Sequence, residues 1–421
     1  MRPFDSVRAA NNEGPGAAFG GDGIASIAGA EGLLPPIDEA GTLRFPQCGQ
    51  SVLLNERLKD KGLELAWVVL AKISEASEQE RFLDDIKRLE KRAARGDLEP
   101  EEVSRTFTEI ARLMDDDTYA VLEMPDRIRL AEQVLHQSAD PTSISQGKHG
   151  TCSVSAVEAR IYRRCPSAAA RLVADVALNG LYRDRFGRAV RLDAESLKPD
   201  MEAQDSPPQD GERSFASQLF QVTAVNLYWQ RRNQDESPGA KSIITYKQLP
   251  DFPRLQDDGT YDSGERLIDS TTGAEVLTGG DSGQPVRCPW IETWGLQEVY
   301  DRVSGQTDSD FVLANYAAVP DGISPADKPG RITFRSEEEL GTSLAGLQKA
   351  GEMPIVIKVF TGNEPLKTDS GTMPPQWHYV TIRSYDPVSK TAMLDNQRGR
   401  ASHHTISLRD LYRCTLRTAD R

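Results

Sequence analysis

The segment Gln146-Gly147-Lys148-His149-Gly150-Thr151-Cys152 places a glutamine, two glycines and a cysteine on a loop that opens a helix. The thiolate is the nucleophilic form of cysteine, and the partial positive charge at a helix N-terminus favours it. The glycines let a substrate backbone come close. The Gln146 side-chain amide and the Cys152 backbone N–H can both donate to an oxyanion that develops on an attacked carbonyl. A nucleophile needs a base, and the base needs an orienting group. Both residue types occur far downstream, in Trp377-His378-Tyr379-Val380-Thr381-Ile382 and in Leu394-Asp395-Asn396-Gln397-Arg398-Gly399. His378 begins one expected strand and Asn396 ends the next, antiparallel one. Strands about 4.8 Å apart bring such side chains into hydrogen-bonding reach. Asp395 competes with Asn396 as the orienter, and because strand neighbours point to opposite faces only one of them can meet His378.

The order Gln-x5-Cys, then a distant His, then Asn-x-x-Gly resembles the papain-like cysteine peptidases. The nucleophile loop is most similar to the calpain branch, whose Gln-Gly-x-x-Gly-x-Cys pattern is matched by Gln146, Gly147, Gly150 and Cys152. The family's Asn-x-Trp-Gly is matched at Asn396 and Gly399, and Pro289-Trp290 ahead of Glu298-Val299-Tyr300 is similar to a calpain segment. The resemblance covers residues 141 to 400. It implies that Cys152 is the nucleophile, His378 the general acid and base, Asn396 the orienter and Gln146 the oxyanion donor. It also implies a protein or peptide substrate and neither an organic cofactor nor a metal. The chain departs from the family at Ser153 and at Arg398, each standing where the family has Trp. Its Cys-to-His interval also exceeds the usual span of about 130–150 residues. None of the calcium-sensing parts of calpains is carried over. The same triad supports deamidation, transglutamination or acyl transfer on a protein side chain. A third reading is a catalytically degenerate interaction protein, for which Ser153 and Arg398 are the motivating features.

These residues need elements to hold them. Helices are expected from a capping box at Ser77-Glu78-Gln79-Glu80, with Phe82, Ile86, Leu89 and Ala93 on one face. Another is expected from Pro100, with Val103, Phe107, Ile110 and Met114 inward, and a third from Asp126 to His136. Further helices are expected over 152–164, 168–178 and 215–231, the first opening on Cys152. Residues 355–360, 379–382 and 392–394 read as strands, with Asp386-Pro387 in the turn between the last two. The expected fold is α+β and papain-like, a helical lobe packed on an antiparallel sheet or barrel lobe, preceded by a helical N-terminal domain. The expected division is a Gly/Ala/Pro-rich arm at 1–49, a helical domain at 50–140 and a catalytic domain at 141–421 with a hairpin-bearing insertion around 250–286. The helical block would serve as a prosegment contacting the cleft or as a docking domain.

Composition bounds the remaining classes. Fifty Lys and Arg against 64 Asp and Glu leave a net charge of −14, which argues against an electrostatic nucleic-acid binder. There is no apolar run long enough for a membrane helix and no basic-then-apolar start of a Sec signal, so a cytoplasmic protein or export by a non-Sec route, as for a bacterial effector, is expected. The five cysteines are odd in number and without a CxxC pair, which speaks against a disulfide framework or a zinc cluster. Cys48, Cys165, Cys288 and Cys414 read as small apolar side chains. His149 reads as a pocket-rim or solvent residue, and His403-His404 as an exposed strand.

Overall fold

The computed structural model describes residues 60–235, 243–256, 261–277, 283–289, 291, 293–305, 313–316, 331–369 and 375–416. The arm at 1–49 with Cys48, and Trp290, lie outside the described residues. From Leu58 to Arg421 the chain forms one compact unit. Its helices are α1 (Asp60–Lys72), α2 (Ala76–Ala94), α3 (Pro100–Leu113), α4 (Met124–Ala139), α5 (Cys152–Arg164), α6 (Pro166–Asn179), α7 (Phe215–Asp235), α8 (Thr293–Ser304), α9 (Glu337–Ala350), the single turn α10 (Leu366–Asp369) and α11 (Leu408–Cys414). Its strands are β1 (Leu181–Arg183), β2 (Ala189–Arg191), β3 (Ile244–Gln248), β4 (Arg254–Leu255), β5 (Tyr261–Asp262), β6 (Glu265–Asp269), β7 (Leu313–Tyr316), β8 (Arg331–Phe334), β9 (Ile355–Phe360), β10 (Trp377–Asp386), β11 (Thr391–Asp395) and β12 (His404–Ser407). The architecture is mixed, α+β. No described helix is long and apolar enough to cross a membrane.

The apolar stripes of α2 and α3 are buried, with Phe82, Ile86 and Leu89 facing Val103, Phe107 and Ile110 into the helical core. The start of α2 differs from expectation. Glu75 is its N-cap and makes no side-chain cap, and Ser77 lies inside the first turn with its hydroxyl donating to the Glu75 carboxylate. The hydroxyl that would cap the helix is thus spent outside it. Pro100 and Pro125 stand in the first turns of α3 and α4, where a missing N–H costs nothing. α7 is the central helix. Residues Phe215 to Trp229 are buried on all sides, so its polar members must find partners internally. Gln218 donates to the carbonyls of Ser196 and Lys198, and Asn226 to that of Tyr246.

The six-stranded sheet has the order β12-β11-β10-β9-β7-β8. An antiparallel sheet was the expectation; it is antiparallel from β9 to β12, but β7 runs parallel to both β8 and β9. The chain reaches β9 from β8 through α9, a crossover of the kind parallel strands require. Ile355, Ile357, Val359, Val380, Ile382 and Leu394 form its core with Leu340 and Leu344 of α9 and Leu411 of α11. Each such side chain contributes about 1.5–3 kcal/mol by burial, which fixes β10 and β11 in position. The segment at 250–286 carries the pair β4 with β5, and its β6 pairs with β3, which lies just before the segment.

Candidate active site

Cys152 is the first residue of α5. Thr151 occupies the N-cap, but its hydroxyl is not a cap; it donates to Gln221 Oε1 of α7 at 2.7 Å. Thr151 therefore leaves the first-turn amides of α5 without a side-chain cap. The backbone N–H groups of Tyr379 and of Ser153 both act on the Cys152 thiol in the direction that favours thiolate. The register of the sheet explains how a helix terminus reaches a strand backbone. β11 stops at Asp395, which pairs with Thr381, so Trp377 to Val380 of β10 have no β11 partner along that edge.

The loop before Cys152 is bound on every side. Gln146 N–H donates to Gln397 O at 2.8 Å, Lys148 N–H to Glu202 Oε2 at 3.0 Å, and Gly150 N–H to Glu265 Oε2 at 2.6 Å. Gly147 has φ +61°, and a Cβ there would lie 1.9 Å from Glu202 Oε2. Only glycine satisfies both constraints. Gln146 is buried, and one of its amide hydrogens goes to His149 O at 2.9 Å inside the loop itself. A primary amide carries a second.

His378 and Asn396 meet directly. Nε2–H of His378 donates to Asn396 Oδ1 at 2.9 Å, with both side chains buried. That bond assigns the proton to Nε2 and leaves the lone pair on Nδ1. Asp395 turns the other way, 2.9 Å from His403 Nε2. The turn after Asn396 is secured by Gln397, whose side chain donates to Thr381 Oγ1 and Asp395 O while its carbonyl accepts from the nucleophile loop. Gly399 has φ +94°, and Gly211 N approaches to 2.7 Å of where its Cβ would be, so the glycine of Asn-x-x-Gly is a close-approach position. Tyr379, whose N–H acts on the thiol, directly follows His378 in β10, but no direct hydrogen bond joins the sulfur to the imidazole. Catalytic contacts of this kind often tighten only with substrate.

Electrostatics set a neutral resting pair. Burial pushes the Cys152 thiol above its ordinary value, outweighing the Tyr379 N–H and the Arg398 cation. Burial and Arg398 push His378 down to about 4, against the bond to Asn396. Arg398 is therefore an electrostatic neighbour of both groups. Comparison with family models, with curated proteins and with solved structures finds no match.

Several supporting residues escaped the sequence reading. His149 is not at a rim but fully buried, 3.1 Å from Asp200 and 3.5 Å from Glu202, with Arg213 paired to Asp200. Burial and Arg213 press His149 down, but the two carboxylates outweigh them and raise it; Asp200, although burial raises it, is held below the usual carboxylate range by Arg213 and His149. Glu265 comes from the 250–286 segment and accepts from Tyr246 as well as Gly150. Glu158 lies one α5 turn and a half behind Cys152 and accepts from Gln221 and Ser217; burial raises it to about 7 despite those bonds. No local pattern marks these positions, because each acts through residues distant in sequence. Cys165 and Cys414 are buried, whereas Cys288 is exposed and His403 is half-buried in its pair with Asp395. Among the described residues no group of three or more His, Cys, Asp and Glu is arranged to hold a metal ion.

Proposed function

We propose that the chain is a papain-like thiol hydrolase, a cysteine peptidase, working through Cys152, His378 and Asn396. The buried His378–Asn396 bond, beside a cysteine that opens a helix, carries this reading. The thiol proton passes to His378 Nδ1 as the sulfur bonds to the substrate carbonyl carbon. The resulting oxyanion accepts from the Cys152 N–H and from the remaining hydrogen of the Gln146 amide. The tetrahedral adduct collapses as His378 returns the proton to the leaving amine, giving a thioester. Water then gives a proton to His378 and its oxygen to the acyl carbon, and the sulfur leaves as His378 returns that proton to it, which releases the acid and restores the thiol and the neutral imidazole. Throughout, Asn396 holds the imidazole by Nε2 so that Nδ1 stays the working nitrogen.

The test is intact mass after treating native protein with an epoxide-type thiol inhibitor, with Cys152→Ala beside it. One adduct, absent from the variant, is expected, together with peptide cleavage that the variant lacks. No adduct, or adducts that persist in the variant at Cys288 or elsewhere, would overturn the reading. Conversion of glutamine to glutamate on a protein substrate, a gain of about one dalton, would keep the thiol chemistry and replace peptidolysis by deamidation.

A further inference from the structure

A cavity of about 510 Å³ lies away from Cys152, between α2, the Asp140–Thr142 segment, α5 and the β10–β11 hairpin. Its wall carries Arg88, Lys91, Arg92, Arg95, Arg163 and Arg383, six cations in a chain whose net charge is −14. Three carboxylates share the wall: Asp97 is engaged by Arg163 at 3.1 Å and Asp140 by Arg88 at 3.0 Å and by Arg400 at 2.8 Å, while Asp395 Oδ1 lies 2.9 Å from His403 Nε2 without a hydrogen bond between them. Arg92 is the telling residue. It is 5% exposed, its guanidinium donates to the carbonyls of Ser138, Tyr162 and Arg163, and its Nε is buried with no hydrogen-bond partner. Burial and the neighbouring Arg163 bring it down to about 10. Asp97, Asp140 and Glu102 act on Arg92 in the opposite sense, but each of these carboxylates is also paired with another arginine, and the wall keeps six cations against three carboxylates, a balance that a multiply charged anion suits. The volume suits a small molecule.

We infer that this basic cavity between α2 and the β10–β11 hairpin is a binding site for a compact polyphosphate-bearing small molecule. Guanidinium forks match phosphate oxygens, and Lys91 and Arg95 at the exposed mouth add attraction that salt will screen. The site is independent of the thiol chemistry: a ligand there would clasp the helical block to the sheet whether or not Cys152 is a nucleophile.

The probe is sodium tripolyphosphate, titrated calorimetrically into the full chain at low salt, with ATP as a second arm. The variants are the combined Lys91→Ala, Arg95→Ala, Arg383→Ala and, as a control outside the cavity, Arg105→Ala. Saturable binding is expected, with a rise in Tm as ligand is added. The combined variant should bind at least about tenfold more weakly, the loss of roughly one charge-assisted hydrogen bond, while the control binds normally. Tighter binding of ATP would identify a nucleotide, and tighter binding of tripolyphosphate a bare phosphate chain. Absence of saturable binding of both at millimolar concentration, or unchanged affinity in a folded combined variant, would overturn the inference.

Discussion

His378 and Asn396 are joined side chain to side chain across the β10–β11 hairpin, at 2.9 Å and with each 1% exposed, while Asp395, one residue earlier, pairs with His403 on the other side. Strand alternation makes the choice. Asn396→Ala leaves a buried N–H donor unpaired, which costs about 1–3 kcal/mol, so labelling of Cys152 and turnover should fall about 10- to 100-fold. Asp395→Asn should leave both close to wild type. Equal losses in the two variants would show that the bond does not orient the base.

The pH profile of labelling follows from the neutral resting pair. The thiol stands above its ordinary 9.0 and His378 stands near 4, so thiolate is scarce at neutral pH. The rate of alkylation should keep climbing as pH rises past 9.0. A plateau reached already in the acid range would mean a preformed thiolate–imidazolium pair. Arg398→Gln removes the cation that lowers both groups, so the thiol should become still less acidic and the imidazole more basic.

Gly147→Ala should destabilise the protein by about 1–3 kcal/mol, because alanine is strained at positive φ and its methyl would collide with the Glu202 carboxylate. Gly96→Ala is the matched control, with φ +74° and nothing within 4 Å. Denaturant titration of the two separates strain alone from strain with collision. Similar losses would mean that Glu202 yields freely.

Glu158 predicts a pH dependence of stability. Its folded pKa, raised to about 7 from 4.5, means that the native state binds its proton more tightly than the unfolded chain does. That contribution is complete below 4.5 and is lost as pH rises through 7. The amount at stake is on the order of 3 kcal/mol. Glu158→Gln mimics the protonated group, so it should gain on wild type steadily across that interval and remain ahead at higher pH. A constant difference between the two across the range would refute the assignment.

Much of the candidate site was legible because its parts are local. A helix that opens on Cys152, a strand with His378 in its first two residues and a turn that holds Asn396 are all short-range patterns of spacing and residue type. Gly147 and Gly399 were visible in the motifs, although the reasons for them, Glu202 and Gly211, were not. His149 misled for the same reason: its partners Asp200, Glu202 and Arg213 lie some fifty residues and more away, and nothing in the adjacent sequence distinguishes a buried ion pair from a solvent-facing one.

By itself the sequence determined the helical stripes of α2 and α3, the apolar strands β9 and β10, and the three residue types capable of thiol chemistry, since periodicity and side-chain chemistry are properties of neighbouring residues. Only the tertiary structure decided that β7 and β8 join the sheet in parallel, because register depends on which apolar faces find each other across the core. Only it decided that Asn396 rather than Asp395 meets His378, and that the Tyr379 N–H of β10 acts on the Cys152 thiol of α5. It likewise gathered six cations from α2, α5 and β10 around one cavity in an acidic chain. Each is a long-range pairing, set by burial and charge balance across the whole fold rather than by spacing along the chain.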